Sequence, residues 1–444
     1  MKIGIIIIAF LTTTIFFVSQ GQTDTLFYAG NYTVVIDSIE IKGNETTEDF
    51  IILRELTIEP GDTLNSKIAS YNRERIYSLN IFNNVKLVPF SINEKNVLRI
   101  DIEESWYIYP IPFISLKDKD WDKLSYGISV SLKNFRGRNE SLKGVLALGY
   151  DPSFSFSYFN PNLSYNQNLH FETRLNYTEF TNKSKTAENL YGSNFEQKLF
   201  TSRMGFGKRF GKFHWLTLNT GFDYVESPLY IKGINGSNDR IDRTVVLGAS
   251  YVYDTRDLVQ YPKNGIFTFV NLEFKGLGIN DINYRVANLD FREYRSFFEK
   301  LTAKWRLAFR HTGGRLVPYY DYSYLGYSER VRGHFHSDKR EGNDSFIGSV
   351  ELNYPIVEET RLNLYFIPLL PRSLLSYRVA IIAQLFGDTG TTRSAGESIS
   401  IKNFDTGYGT GISLLLLPYA IFRLELAFNE QGKTEWIIDL GASF

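Results

Sequence analysis

The chain has 444 residues with 49 basic and 49 acidic side chains, so its formal charge is zero and gives no support for nucleic-acid binding. Its length asks for one large architecture or two domains. Cysteine is absent, which excludes disulfide frameworks, thiolate metal sites and cysteine nucleophiles and suits a chain that crosses an oxidising compartment unfolded.

In chain order, Lys2 precedes an apolar run from Ile3 to Val18, and Ser19 and Gly21 are small residues placed for a cleavage before Gln22. Residues 1–21 therefore read as a secretory signal peptide, with an uncleaved anchor as the alternative. Beyond them no stretch approaches the ~20 apolar residues of a spanning helix. Mean hydropathy is −0.21, but membrane-spanning barrels look soluble by that measure because only alternate residues face lipid. Periodicity has to decide.

Residues 34–104 read as a small α+β domain. Val34 to Lys42 alternates as a strand and ends at Gly43-Asn44. Thr46 or Thr47 can cap a short helix holding Phe50, Ile51 and Leu53, and Gly61-Asp62 breaks it. Asn65 can cap a second helix with Ile68, Tyr71, Ile76 and Leu79 near one face. Strands follow from Asn84 to Phe90 and from Asn96 to Glu103, joined by the turn Asn93-Glu94-Lys95. The predicted order is βααββ.

From residue 105 to 444 the pattern becomes repeated strands. Phe171, Thr173, Leu175 and Tyr177 share one face, with Glu172, Arg174 and Asn176 on the other. Phe422, Leu424, Leu426 and Phe428 alternate with Arg423, Glu425, Ala427 and Asn429. Trp436, Ile438, Leu440 and the terminal Phe444 fall in one register. A closed antiparallel barrel of about sixteen strands accounts for this, with apolar side chains toward lipid and every backbone group paired. Aromatic clusters at 106–109 and 319–322 suit interfacial girdles.

Three groups of motifs stand out. Asp254, Arg256 and Asp257 precede Pro262 and Gly265, and read as a strand end with local salt bridges and a turn. Val331, Arg332 and Gly333 lie in a polar stretch, where an Arg beside a Gly can present a bidentate fork to a carboxylate. His334 and His336 have a metal-like spacing, but no third ligand is nearby in sequence. Near the C-terminus Glu351 sits in ELNYP and Asp388 in FGDTG, and glycines at 409 and 411 lead into strands, which excludes a phosphate-cradling loop.

Taken in order, these motifs resemble the BamA/TamA family of outer-membrane assembly and translocation proteins, the bacterial surface antigens. Residues 39–44, 54–56, Gly61 and 72–85 are similar to that family's POTRA module. The resemblance implies a sixteen-stranded outer-membrane barrel whose sixth extracellular loop folds into the lumen, behind one periplasmic POTRA unit. It places the loop's VRG motif at Val331, Arg332 and Gly333, and implies that Arg332 pairs with an acidic wall residue, Asp388 first and Glu351 second. His334 stands where the family usually has an aromatic residue.

The implied function is a non-enzymatic insertase or translocase, needing no cofactor and no metal. Outer-membrane lipids would surround the barrel, and client polypeptides or assembly partners would bind the POTRA unit by β-augmentation. The barrel would open between a first strand near Tyr109 to Leu116 and a last strand from Thr434 to Phe444. Trp436, Ile438, Leu440 and Phe444 would also form the chain's own assembly signal. A passive pore on the same fold is the alternative. A hydrolase would need a nucleophile paired with an oriented His, and none of the five His shows such a pairing.

Overall fold

The computed structural model describes residues 32–116, 121–298, 300–326, 329–334, 340–368 and 370–444. The expected signal peptide and His336 lie outside them.

The N-terminal domain is built from β1 (Thr33–Val35), β2 (Ser38–Lys42), α1 (Asp49–Leu53), β3 (Thr63–Asn65), α2 (Ser66–Tyr77), β4 (Phe82–Ile92) and β5 (Lys95–Glu104). β5 lies centrally, parallel to β2 and antiparallel to β4. Asn65 caps α2 as expected, its Oδ1 accepting the Ile68 N–H at 2.9 Å. The α1 expectation fails in detail. Glu48 stands at the N-cap without a side-chain bond. Thr47 instead donates its hydroxyl to Glu104 at 2.5 Å and accepts from Asn134 at 2.8 Å. The pairing of β1 with β3 breaks the single strand expected from Val34 to Lys42.

The second body is one sixteen-stranded antiparallel sheet. Its strands run from β6 (Ile108–Leu116) through β7 (Leu124–Phe135), β8 (Glu140–Gly149), β9 (Ser153–Ser164), β10 (Leu169–Thr181) and β11 (Glu196–Phe210). They continue as β12 (His214–Glu226), β13 (Ile241–Asp254), β14 (Gly265–Lys275), β15 (Tyr284–Phe297) and β16 (Leu301–Gly314). A small hairpin, β17 (Ser323–Leu325) with β18 (Arg340–Gly342), forms its own two-stranded sheet against the wall strands β19 and β20. β19 (Asp344–Asn363), β20 (Ser376–Arg393), β21 (Asp405–Leu417), β22 (Ala420–Asn429) and β23 (Thr434–Leu440) complete the sheet. A helix α3 (Lys185–Tyr191) lies between β10 and β11. The sheet curls round until Tyr109 of β6 meets Tyr419 in the turn before β22, with ring centres 5.8 Å apart.

Strand periodicity sorts the side chains. Leu216 and Leu218, Val270 and Leu272, and Phe422 and Leu424 face outward and exposed, while Arg423 and Glu425 are buried inside. Among the described residues no helix is long and apolar enough to cross a membrane. The outward apolar face with a charged interior is what a hydrocarbon surround requires of a spanning barrel. Two expectations need correction. Tyr319 is buried with Phe195 and Ile234 beneath the loops, its hydroxyl donating to Gln197 at 2.6 Å, so the 319–322 cluster is not a girdle. Phe444 does not share the register of Trp436, Ile438 and Leu440. Those three are exposed, whereas the strand stops at Leu440, Gly441 takes φ +99°, and Phe444 is buried.

The N-terminal domain docks on the near mouth of the barrel. Its core runs on into Leu258 and Tyr261, Ala380 and Ile382, and Leu415 and Leu417 of the barrel. Charged contacts set the register. Arg209 of β11 grips Glu55 with two bonds of 2.5 and 2.9 Å, and Arg75 adds a third at 2.6 Å. Arg378 of β20 grips Glu74 at 2.9 and 3.1 Å. Burial pushes the Glu55 carboxyl up, but Arg209, Arg75 and Arg54 overcome it and hold it down at about 2. Glu74 is treated alike by burial and by Arg378 and Arg73, and also lies at about 2.

The sign follows from linkage. Both carboxyls sit below their ordinary 4.5, so their contribution to docking is complete above that value and is lost as pH falls toward about 2. Protection factors across α2, which are exchange rates taken relative to the intrinsic rate at each pH, should therefore fall between neutral pH and about pH 3. The double substitution Glu55→Gln, Glu74→Gln should show low protection factors at both. Equal protection at both pH values in the parent protein would show that these pairs do not hold the domain.

Candidate functional site

Arg332 comes from the long connection between β16 and β19, which turns inward so that the residue is 5% exposed within the lumen. All three of its guanidinium nitrogens are engaged. Nε and Nη2 donate to the two oxygens of Asp388 at 2.6 and 2.7 Å, and the backbone N–H adds a longer bond of 3.2 Å. Nη1 donates to Glu351 at 2.7 Å and to Glu425 at 3.0 Å. The guanidinium carbon lies 3.7 Å from the centre of the Phe386 ring. A planar fork suits this arrangement, because two edges of one cation meet separate carboxylates while its face covers a ring.

The sheet brings the acids together. Asp388 on β20 and Glu351 on β19 sit on adjacent strands, and Glu425 stands on β22. Lys304 on β16 meets Glu351 at 3.4 Å, and Arg423 meets Glu425 at 2.9 Å and Asp439 at 2.9 Å. Arg330, from the same connection as Arg332, pairs with Asp439 of β23. Glu425 was the residue sequence reasoning missed. It sits on the inward face of an alternating strand, which was visible, but its approach to Arg332 depends on strand positions that were not.

The neighbours of Arg332 are shaped to let the backbone in. Gly333 has φ +94°, and a Cβ there would lie 2.9 Å from the Phe428 carbonyl oxygen. A Cβ on Gly407 of β21 would lie 1.7 Å from the Arg332 carbonyl oxygen, a contact that no side chain can make. Val331 is buried against Gly390.

The C-terminal tail enters the same lumen. Arg423 Nε donates to the Gly441 carbonyl at 2.8 Å, and Tyr294 donates its hydroxyl to the Phe444 carbonyl at 3.3 Å. Lys304 sits 6.0 Å from the Phe444 ring centre. A polar cavity of about 290 Å³ separates this tail from Arg332.

Asp254, Arg256 and Asp257 lie elsewhere, at the near mouth. Arg256 pairs with Asp254 through bonds of 2.8 and 2.6 Å. Asp257 accepts the N–H groups of Leu258, Lys263 and Asn264 at 2.8 to 3.0 Å, which fixes the turn through Pro262 to Gly265. That turn also meets α2, where Tyr71 donates to the Thr255 carbonyl at 3.3 Å.

The model of the Omp85 superfamily domain matches residues 134–444, and that of the POTRA domain, the surface antigen variable number repeat, matches residues 34–105. Among solved structures, BamA from Haemophilus ducreyi lacking POTRA domains 1–3 is similar at 16% identity and a TM-score of 0.52, over 92% of this chain and 83% of that one. CdiB from Acinetobacter baumannii is similar at 14% identity and a TM-score of 0.48, over 91% of this chain and 73% of that one. No curated protein sequence matches the chain. The family match covers most of the barrel and the repeat match covers the docked domain, so the chain belongs to the Omp85 superfamily and carries a POTRA domain ahead of its barrel.

Proposed function

We propose that the protein is a non-enzymatic insertase or translocase of the outer membrane, acting on client polypeptides at the seam between β6 and β23. The observation that carries this reading is the open end of the ladder. Fifteen antiparallel pairings link β6 to β23 in series, and among the described residues no backbone hydrogen bond joins β23 back to β6. Two strand edges in hydrocarbon leave costly unpaired groups, and an incoming strand can satisfy them. The POTRA domain would face the periplasm and receive clients along a sheet edge, β2 or β4 being the outer strands of its three-stranded sheet.

In this reading Arg332 locks the inward connection, with Asp388, Glu351 and Glu425 as its partners. Trp436, Ile438 and Leu440 present the outward apolar face that an assembly signal would use. Phe444 would leave the lumen for that role. The turn carrying Asp254, Arg256 and Asp257 is the seat of the POTRA domain.

The parent chain has no cysteine, so paired cysteines can be placed freely. One scanned along Ile111 to Ser115 and one along Glu435 to Asp439 should yield a disulfide that closes the seam. Closure should stop client accumulation in the outer membrane, and reduction should restore it. Normal client levels in oxidised cells would favour a passive pore instead.

Arg332→Ala should cost about 3–5 kcal/mol, the scale for breaking a buried pair, and should lower the midpoint of heat-modifiability on gels. Asp388→Ala should fall short of that loss, because Glu351 and Glu425 still hold the cation. Equal behaviour of both variants and the parent would exclude the lock.

Gly407→Ala tests the same lock without changing a charge. Its methyl should drive out the Arg332 backbone and reproduce the Arg332→Ala defect. A variant with the parent's midpoint would show that the connection does not need this close approach.

A further inference from the structure

His334, Asp405 and Glu430 come from three separate stretches, the tip of the inward connection, the first residue of β21 and the turn between β22 and β23. Their ligand atoms all lie within 4.8 Å of one another. His334 Nε2 is 2.7 Å from a Glu430 oxygen and 3.1 Å from the Thr406 carbonyl oxygen. Thr406 N–H also donates to that Glu430 oxygen at 3.3 Å. Arg340 approaches Asp405 at 2.6 Å.

A hydrogen-bonded His–Glu pair would explain two of these groups. Arg340 answers Asp405 and a protonated His334 would answer Glu430, so charge alone does not demand an ion; it is the convergence of one imidazole and two carboxylates from three separate stretches that points to one.

We propose that His334, Asp405 and Glu430 form a divalent-cation site of the Zn²⁺ class. One imidazole nitrogen and two carboxylate oxygens make a zinc-like set, and imidazole is a poor ligand for Ca²⁺ or Mg²⁺. A tetrahedral zinc with bonds of about 2.0–2.2 Å spaces its donors roughly 3.3–3.5 Å apart, so His334 Nε2 and Glu430, now 2.7 Å from each other, would part to admit the ion between them. The Thr406 carbonyl or a water would complete a tetrahedron. Such an ion would fasten the tip of the connection to the far ends of β21 and β22, two residues beyond Arg332. It would hold the loop from the solvent side and leave the buried guanidinium untouched.

The experiment uses the full mature chain refolded in detergent, stripped by a chelator and titrated calorimetrically with Zn²⁺ or Ca²⁺ alone. One Zn²⁺ should bind per chain, and Ca²⁺ should bind far more weakly. Glu430 is 41% exposed, so Glu430→Gln should fold normally, with heat-modifiability as the check. It should lose at least about tenfold in Zn²⁺ affinity. His334→Phe should abolish binding, and Zn²⁺ should raise the heat-modifiability midpoint of the parent alone. Undiminished Zn²⁺ binding by Glu430→Gln, or no saturable binding by the parent, would overturn the site. Ca²⁺ binding as tight as Zn²⁺ would overturn the metal class.

Discussion

Charges inside a barrel are tolerable only when each meets its opposite, and one Arg carries most of that burden here. Asp388, Glu351, Glu425 and Asp439 line a short arc of the wall, faced by Lys304 and Arg423 from the wall itself and by Arg330 and Arg332 from the inward connection. Four acids thus meet four cations. Without Arg330 and Arg332 this arc would keep two uncompensated negative charges in a space walled by protein. The connection is therefore held by what its departure would expose, as well as by the bonds it makes. Gly333 and Gly407 matter for the same reason, because they let the backbone come close enough for the fork to reach three carboxylates.

This cluster also reaches the seam. Lys304 serves Glu351 and approaches the Phe444 ring, while Arg423 bonds Glu425, Asp439 and the Gly441 carbonyl. The last strand and the tail that follows it thus share cations with the Arg332 site. Straightening the tail into the sheet would remove a partner from Arg423 and a ring from beside Lys304. The two features are coupled through the same side chains, with no need for a longer chain of contacts.

What the sequence made legible follows from the range of the forces involved. Alternation at period two is local, so the inward placement of Arg423 and Glu425 and the outward placement of Trp436 could be read directly. Asn65 could be read as a cap because its partner is three residues away. Asp388 and Glu351 could be named only through the family resemblance, and Glu425 was lost because strand height cannot be read from one strand. Phe444 misled for a physical reason: Gly441 breaks the register, and alternation counted past a left-handed glycine is meaningless. Tyr319 misled because aromatic residues suit both a membrane interface and the underside of a packed loop.

The docked POTRA domain raises the question of why its contact with the barrel is built from ions. A wholly apolar seal would bind more firmly, since buried ion pairs often stabilise less than apolar residues of similar volume. Glu55 with Arg209, and Glu74 with Arg378, instead fix orientation through bidentate geometry. Were the domain to separate, these four groups would regain water, which would offset part of what separation costs. The apolar patch around Leu258, Tyr261 and Leu415 adds an undirected adhesive contribution beside these pairs. A contact built in this way fixes one docked position more narrowly than an apolar seal of the same area would.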